Sequence, residues 1–154
     1  MSEIDYAWAA GFFDGEGYVG IAKKQKTYET KRGSTSNRTY SLVISAGNMS
    51  LSALRVFILL FGGGIARQKQ NGKSYYHWRA EARKAADALK KMLPYLTVKK
   101  EIAEQAIEFQ SLKFARGTSL SIEELNKYEE YYQYMKNVHK NDYSSQPEWE
   151  RLRK

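Results

Sequence analysis

The spacing of apolar residues changes from one stretch of the chain to the next. Tyr6–Phe13 is apolar on every side of a helical wheel, the mark of a helix buried all round. Asp5 is a good N-cap for it, and Gly15 and Gly17 end it. From Tyr18 to Lys26 the pattern alternates, with Val19 and Ile21 on one face and Lys24 and Lys26 on the other, as in a half-buried strand. Residues 27–38 are polar and predict a mobile connection. Thr39–Ser45 alternates again, with Leu42 and Ile44 inward, and residues 50–61 predict a helix closed by Gly62-Gly63-Gly64. Ile65–Gln70 and Ser74–Ala80 flank Asn71-Gly72, a strong hairpin signal. A helix is expected from about Ala82 to Leu93, stopping before Pro94, and another from Thr97. Two capping boxes, Ser121–Glu124 and Ser145–Glu148, each announce one more. In the first of these, Leu125, Tyr128, Tyr131 or Tyr132, and Met135 form a packing stripe rather than a base-stacking surface. The order α-β-β-α-β-β-α-α with a helical tail predicts an α+β fold, an antiparallel sheet with helices on one face.

At 154 residues the chain is long enough for one domain with a real core. The expected division is a core over residues 1–115 and a helical extension over 116–154 packed on it. Lys and Arg number 25 against 17 Asp and Glu, a net charge of +8, which points to a polyanionic partner. Cysteine is absent, so disulfide frameworks, Cys-based zinc sites, thiol nucleophiles and iron–sulfur clusters are excluded, and two histidines cannot make a His-rich metal site. No apolar run approaches a membrane span, and the first residues lack the layout of a secretory signal. The expectation is a soluble, intracellular protein with no membrane partner, in a bacterial or archaeal cytoplasm or an organelle.

Three motifs fail on context. Gly15-Glu16-Gly17-Tyr18-Val19-Gly20 has the letters of the dinucleotide fingerprint, but it follows a helix and opens a strand, the reverse of what that site needs. Asp14-Gly15-Glu16-Gly17 lacks the later ligands of a calcium loop. Asp14 with Glu29-Thr30-Lys31 matches another nuclease pattern only by placing half of it in a polar stretch where nothing fixes its geometry.

The segment Ala9-Ala10-Gly11-Phe12-Phe13-Asp14-Gly15-Glu16-Gly17 resembles the signature of the LAGLIDADG homing endonucleases, with Glu16 at the second acidic position. Phe61-Gly62-Gly63-Gly64-Ile65 is similar to that family's turn into its second hairpin, and Leu93–Lys100 to its proline-tyrosine-leucine stretch before a basic helix. The resemblance implies the family's αββαββα fold with a saddle-shaped sheet. Independently of it, Ala7, Gly11 and Gly15 recur every four residues, a small-residue stripe on which another backbone can approach closely. Asp14 and Glu16 stand at a helix C-terminus, where the macrodipole disfavours negative charge, so each is expected to have a compensating partner.

Only one such motif occurs, so the resemblance implies a homodimer, each copy cutting one strand of a long pseudo-palindromic duplex. Ala7, Ala10, Gly11, Asp14 and Gly15 would line the seam. Glu16 from both copies, with the Gly15 carbonyl, would hold Mg²⁺, which relieves the repulsion of two neighbouring carboxylates. Lys99 would polarise the scissile phosphate or its attacking water. The family often has Gln at the end of the second strand to organise water; this chain offers Ala46-Gly47-Asn48, which makes Asn48 the third catalytic candidate, although it could equally cap the next helix. Asp14 ranks below these as a cap or structural acid.

Strand alternation assigns Lys24, Lys26, Arg67, Lys69, Tyr75, His77 and Arg79 to a DNA-reading face, and Arg38 is added to them as a DNA contact. Acids concentrate instead in the stretches 97–110 and 121–131. A dimer would carry 2 × 8 = +16 and bind with a steep salt dependence. The alternatives are an RNA-splicing maturase that holds its intron RNA, and a non-cleaving DNA-binding regulator, both on the same scaffold.

Overall fold

The computed structural model describes residues 1–113 and 120–140, with only the backbone of Thr35 and Ser36. Helix α1 (Glu3–Glu16) leads into strands β1 (Gly17–Thr30) and β2 (Gly33–Asn48). Helix α2 (Leu51–Phe61) follows, then β3 (Gly64–Gln70), β4 (Lys73–Glu81) and α3 (Ala82–Met92). A 3₁₀ turn (Leu93–Tyr95), α4 (Lys100–Ser111) and α5 (Ile122–Lys140) complete the described chain. The strands form one antiparallel sheet in the order β1-β2-β4-β3. This is the α+β architecture the pattern predicts.

The core forms where the apolar face of the sheet meets α1–α4. Val19, Ile21, Leu42, Ile44, Ala46, Trp78 and Ala80 are buried there with Phe13, Leu54, Phe57, Leu89 and Phe109. Trp78 is wholly buried against Phe57 and Phe61, and its indole N–H donates to the Gly62 carbonyl at 2.7 Å. That bond meets the one polar requirement of the largest core side chain. The β3–β4 turn is Asn71-Gly72, both with positive φ (51° and 75°), as a two-residue hairpin needs.

Three expectations are corrected. Residues 27–38 are no loose connection: β1 and β2 continue paired to Thr30↔Gly33, leaving only Lys31 and Arg32 to turn. Both sides of this outer ribbon are largely exposed, so it carries no apolar alternation for the sequence to reveal. Asp5 is not the N-cap of α1. Ser2 is, and the Asp5 carboxylate, one turn in, accepts the Ser2 amide (2.8 Å) and hydroxyl (3.0 Å). Helix α4 starts at Lys100 rather than Thr97, with Lys99 at its N-cap. The helix after Pro94 is therefore delayed by a short bent link over residues 96–99. The expected helix at Ser145–Glu148 and the tail beyond it lie outside the described residues.

Helix α5 begins on the expected capping box: the Ser121 amide donates to Glu124 (2.7 Å) and the Glu124 amide to the Ser121 hydroxyl (3.2 Å). Tyr128 and Met135 of its stripe are buried, Tyr131 packs on Phe109, and Tyr132 lies edge-on to Tyr40. Glu129 ties the helix to the sheet by a 2.8 Å ion pair with Lys23 and a short hydrogen bond from the Tyr40 hydroxyl.

Candidate active site and nucleic-acid face

The end of α1 carries the acids. Gly17 turns the chain from helix to strand while pairing with Ala46 of β2. A Cβ there would lie 2.4 Å from the Phe13 carbonyl oxygen and 2.5 Å from its ring, so only glycine lets the chain turn so tightly. The turn leaves Glu16 exposed at the head of the sheet. Among the described residues its carboxylate enters no hydrogen bond or ion pair.

Asp14 has the partner its position demands. Its carboxylate accepts the backbone N–H of Thr97 (2.8 Å) and of Lys99 (2.9 Å). In return the Lys99 ammonium donates to the Asp14 carbonyl. Each charge is unfavourable on its own helix and favourable on the other: the acid caps the N-terminal end of α4, and the cation caps the C-terminal end of α1. This exchange fixes Lys99 beside the acidic turn. Half-burial pushes the Lys99 ammonium below the usual lysine range, while the charges of Asp14 and Glu16 act in the opposite direction. Asn48 ends β2, where its side-chain oxygen accepts the Ser50 N–H at 2.8 Å and leads the chain into α2. The oxygen half of that amide is committed to the turn, and the NH₂ half is the part left for a water.

The small-residue stripe has the exposure a partner surface requires. Ala7, Gly11 and Gly15 face solvent, and a Cβ at either glycine would meet no atom within 4 Å. Trp8 (45 % exposed) and Ile4 (78 %) enlarge this apolar face. Ala10 does not belong to it: it is wholly buried in the chain's own core and has no surface to offer. Asp14, expected at the same seam, is turned toward Thr97 and Lys99. No three described His, Asp or Glu residues gather into a metal site within one chain. Glu16 and the Gly15 carbonyl are hard oxygen donors of the kind Mg²⁺ takes, but within one chain they make only part of a donor set.

The face of the sheet opposite the helices carries Lys24 and Lys26 on β1 and Tyr75, His77 and Arg79 on β4. Tyr75 and His77 meet edge to face over Gly47, at 4.8 Å between ring centres. Arg67 and Lys69 are not on this face. The register pairs Arg67 with Tyr76 and Lys69 with Ser74, which puts both on the side of Trp78. Arg67 is held there by the Ser74 hydroxyl at 2.7 and 3.0 Å. The positions of β3 that share the open face are Ala66, Gln68 and Gln70. A two-residue turn fixes this, because the residues flanking it, Gln70 and Lys73, must be partners. The Asn71-Gly72 signal therefore already contained the right phase. Arg38 pairs with Gln25, one step out of phase with Lys24 and Lys26, and its charge bears on the Tyr40 hydroxyl. Gln68 and Glu81 also lie on the open face. There they line a shallow concavity of about 610 Å³ with Ser45, Ala66, His77 and Arg79.

An antiparallel sheet covered by helices on one face, open and cationic on the other, with an exposed acid at the head of the first strand, defines the class of domain. The chain belongs to the LAGLIDADG endonuclease family, whose model matches residues 9–116. No curated protein matches it in sequence. Among solved structures it is similar to the homing endonuclease I-CvuI in complex with its target in the presence of calcium, at TM-score 0.69, 16 % identity, and 92 % and 85 % coverage of the two chains. An archaeal intron-encoded homing endonuclease complexed with DNA matches at TM-score 0.69, 17 % identity, and 88 % and 84 % coverage. The homing endonuclease I-TnaI matches at TM-score 0.57, 19 % identity, and 88 % and 95 % coverage. At these identities the likeness is one of fold. Among the described residues no helix is long and apolar enough to cross a membrane.

Proposed function

We propose that the chain is a homodimeric, Mg²⁺-dependent homing endonuclease that cuts both strands of a long pseudo-palindromic DNA site. The observation that carries this reading is the exchange between Asp14 and Lys99, which holds a half-buried ammonium next to an unpaired Glu16 at the head of a cationic face. Residues 1–115 make up the endonuclease core in this reading and 116–154 an extension, whose described helix α5 lies along β1, with Lys23 paired to Glu129 and Tyr18 stacked on His139.

In this reading Glu16 and the Gly15 carbonyl of both copies hold the divalent ion, which when bound supplies Lewis acidity for phosphodiester hydrolysis. The chain's own residues do the rest. The Lys99 ammonium, partly desolvated and fixed through the Asp14 carbonyl, stabilises negative charge developing on the scissile phosphate without having to reorganise. The NH₂ group of Asn48 orients a water. Lys24 and Lys26 meet phosphates, and Tyr75, His77 and Arg79 face the groove, Arg79 with the geometry to read guanine. The stripe at Ala7, Gly11 and Gly15 forms the seam between copies.

Replacing Glu16 by Gln keeps size and hydrogen-bonding capacity and removes the charge. Cutting is expected to vanish while DNA binding stays within a few-fold. Parallel loss of both contradicts the assignment and makes Glu16 structural.

A further inference from the structure

The open face contains one residue of the wrong sign. By register, its β4 positions are Lys73, Tyr75, His77, Arg79 and Glu81, and Glu81 is the single carboxylate on this face of the sheet among the described residues. An anion there opposes a polyanionic ligand and lowers affinity. The Arg79–Glu81 pair itself contributes little to the fold, because it is half exposed on both sides, and Glu81, at the N-cap position of α3, makes no side-chain capping hydrogen bond there. Its geometry, however, is specific. Nε and one terminal nitrogen of Arg79 both donate to the same Glu81 oxygen, each at 2.7 Å. One edge of the guanidinium is thereby locked, the other edge is left free, and the second carboxylate oxygen is unclaimed by this contact.

We propose that Glu81 determines specificity: with Arg79 it forms one base-reading pair. The guanidinium's free edge reads the acceptors of guanine, and the carboxylate accepts an exocyclic amine in the major groove, that of cytosine or adenine. A carboxylate accepts only, so it rejects the carbonyl edges of guanine and thymine at its position. The pair lines the shallow concavity between β2, β4 and β3 on the open face. This rests on the proposed function, since it assigns a role in reading the same DNA.

The test selects bound and cut duplexes from a randomised library with the whole protein, with Glu81→Gln, and with Arg79→Ala. Glu81→Gln is expected to lower the preference at one base pair per half-site by about tenfold. Other positions stay unchanged, and affinity for random duplex rises a few-fold. Arg79→Ala is expected to relax the same or the adjacent base pair. A Glu81→Gln preference profile superimposable on that of the parent overturns the proposal, as does a uniform change at every position. A parent protein that selects no duplex at all refutes the proposed function itself, an outcome distinct from either.

Discussion

Replacing Asp14 by Ala should destabilise the chain and disable Lys99 together, because one side chain does both jobs. The substitution deletes two charge-assisted hydrogen bonds, to the amides of Thr97 and Lys99 at 2.8 and 2.9 Å. Bonds to a charged group contribute about 1.5–3 kcal/mol each. Thr97 is exposed, so water takes over part of its bond, whereas Lys99 is half-buried and recovers less. The expected loss is about 2–4 kcal/mol, well beyond the roughly 0.5 kcal/mol typical of surface changes. Urea unfolding followed by tryptophan emission, which includes the buried Trp78, measures it as a lower midpoint at constant slope. Asp14→Asn keeps a neutral acceptor for one amide and should fall about halfway. Under conditions where the Ala variant is still folded, cleavage should drop at least about tenfold at saturating DNA while binding changes far less, since Lys99 loses its fixed origin and the phosphate-binding face is untouched. Stability within about 0.5 kcal/mol of the parent, together with undiminished cutting, would show that the exchange between α1 and α4 holds nothing in place.

Three further outcomes follow from the geometry. Gly17→Ala puts a Cβ against a backbone carbonyl and a core ring, neither of which can swing away; a loss of about 1–3 kcal/mol and displacement of Glu16 are expected, read by the unfolding midpoint and by cutting of a cognate duplex. The Glu129 carboxyl is drawn from 4.5 to about 2 by hydrogen bonds from Lys23, Tyr40 and Gln133. A depressed carboxylate stabilises the fold above its unfolded pKa, so this contribution is complete above about pH 5 and is lost as the pH falls from about 4.5 toward 2. The shift of about 2.5 (4.5 − 2) corresponds to about 3.4 kcal/mol unscreened, discounted to about 1–2 kcal/mol because solvent reaches the pair, and Glu129→Gln should flatten stability over that range. Gly11→Leu fills the open stripe on α1; the dimer should dissociate on sizing, and an unchanged dimer means the seam lies elsewhere.

Much of this architecture is legible in the residues because one face of each element is dry. Val19, Ile21, Leu42 and Ile44 announce their strands by alternation, Asn71-Gly72 its hairpin, and Ser121–Glu124 the start of α5. The outer ribbon of β1 and β2 escapes detection because both its faces are wet, and a strand exposed on two sides has no hydrophobic period. Ala10 shows the limit of a helical wheel, which places a residue at an angle without saying which angle faces the core. At the site, Glu16 and Lys99 are legible from the nonapeptide and the proline-tyrosine-leucine stretch. Their coupling through Asp14 joins residues 85 positions apart and has no local signal. Alternation within a single strand does not fix the phase between strands, so it misplaces Arg67 and Lys69; the two-residue turn, which fixes that phase, puts them on the side of Trp78.

The central claim, a metal-dependent nuclease built from two copies of one acidic turn, is tested most directly by incubating the protein with a randomised duplex library and Mg²⁺ and sequencing the ends produced. Recurrent cuts on both strands of a single pseudo-palindrome, abolished by EDTA and by Glu16→Gln, are the predicted result. Retained, sequence-selective binding with no cut ends in Mg²⁺ would contradict the nuclease and leave a DNA-binding scaffold without hydrolytic chemistry.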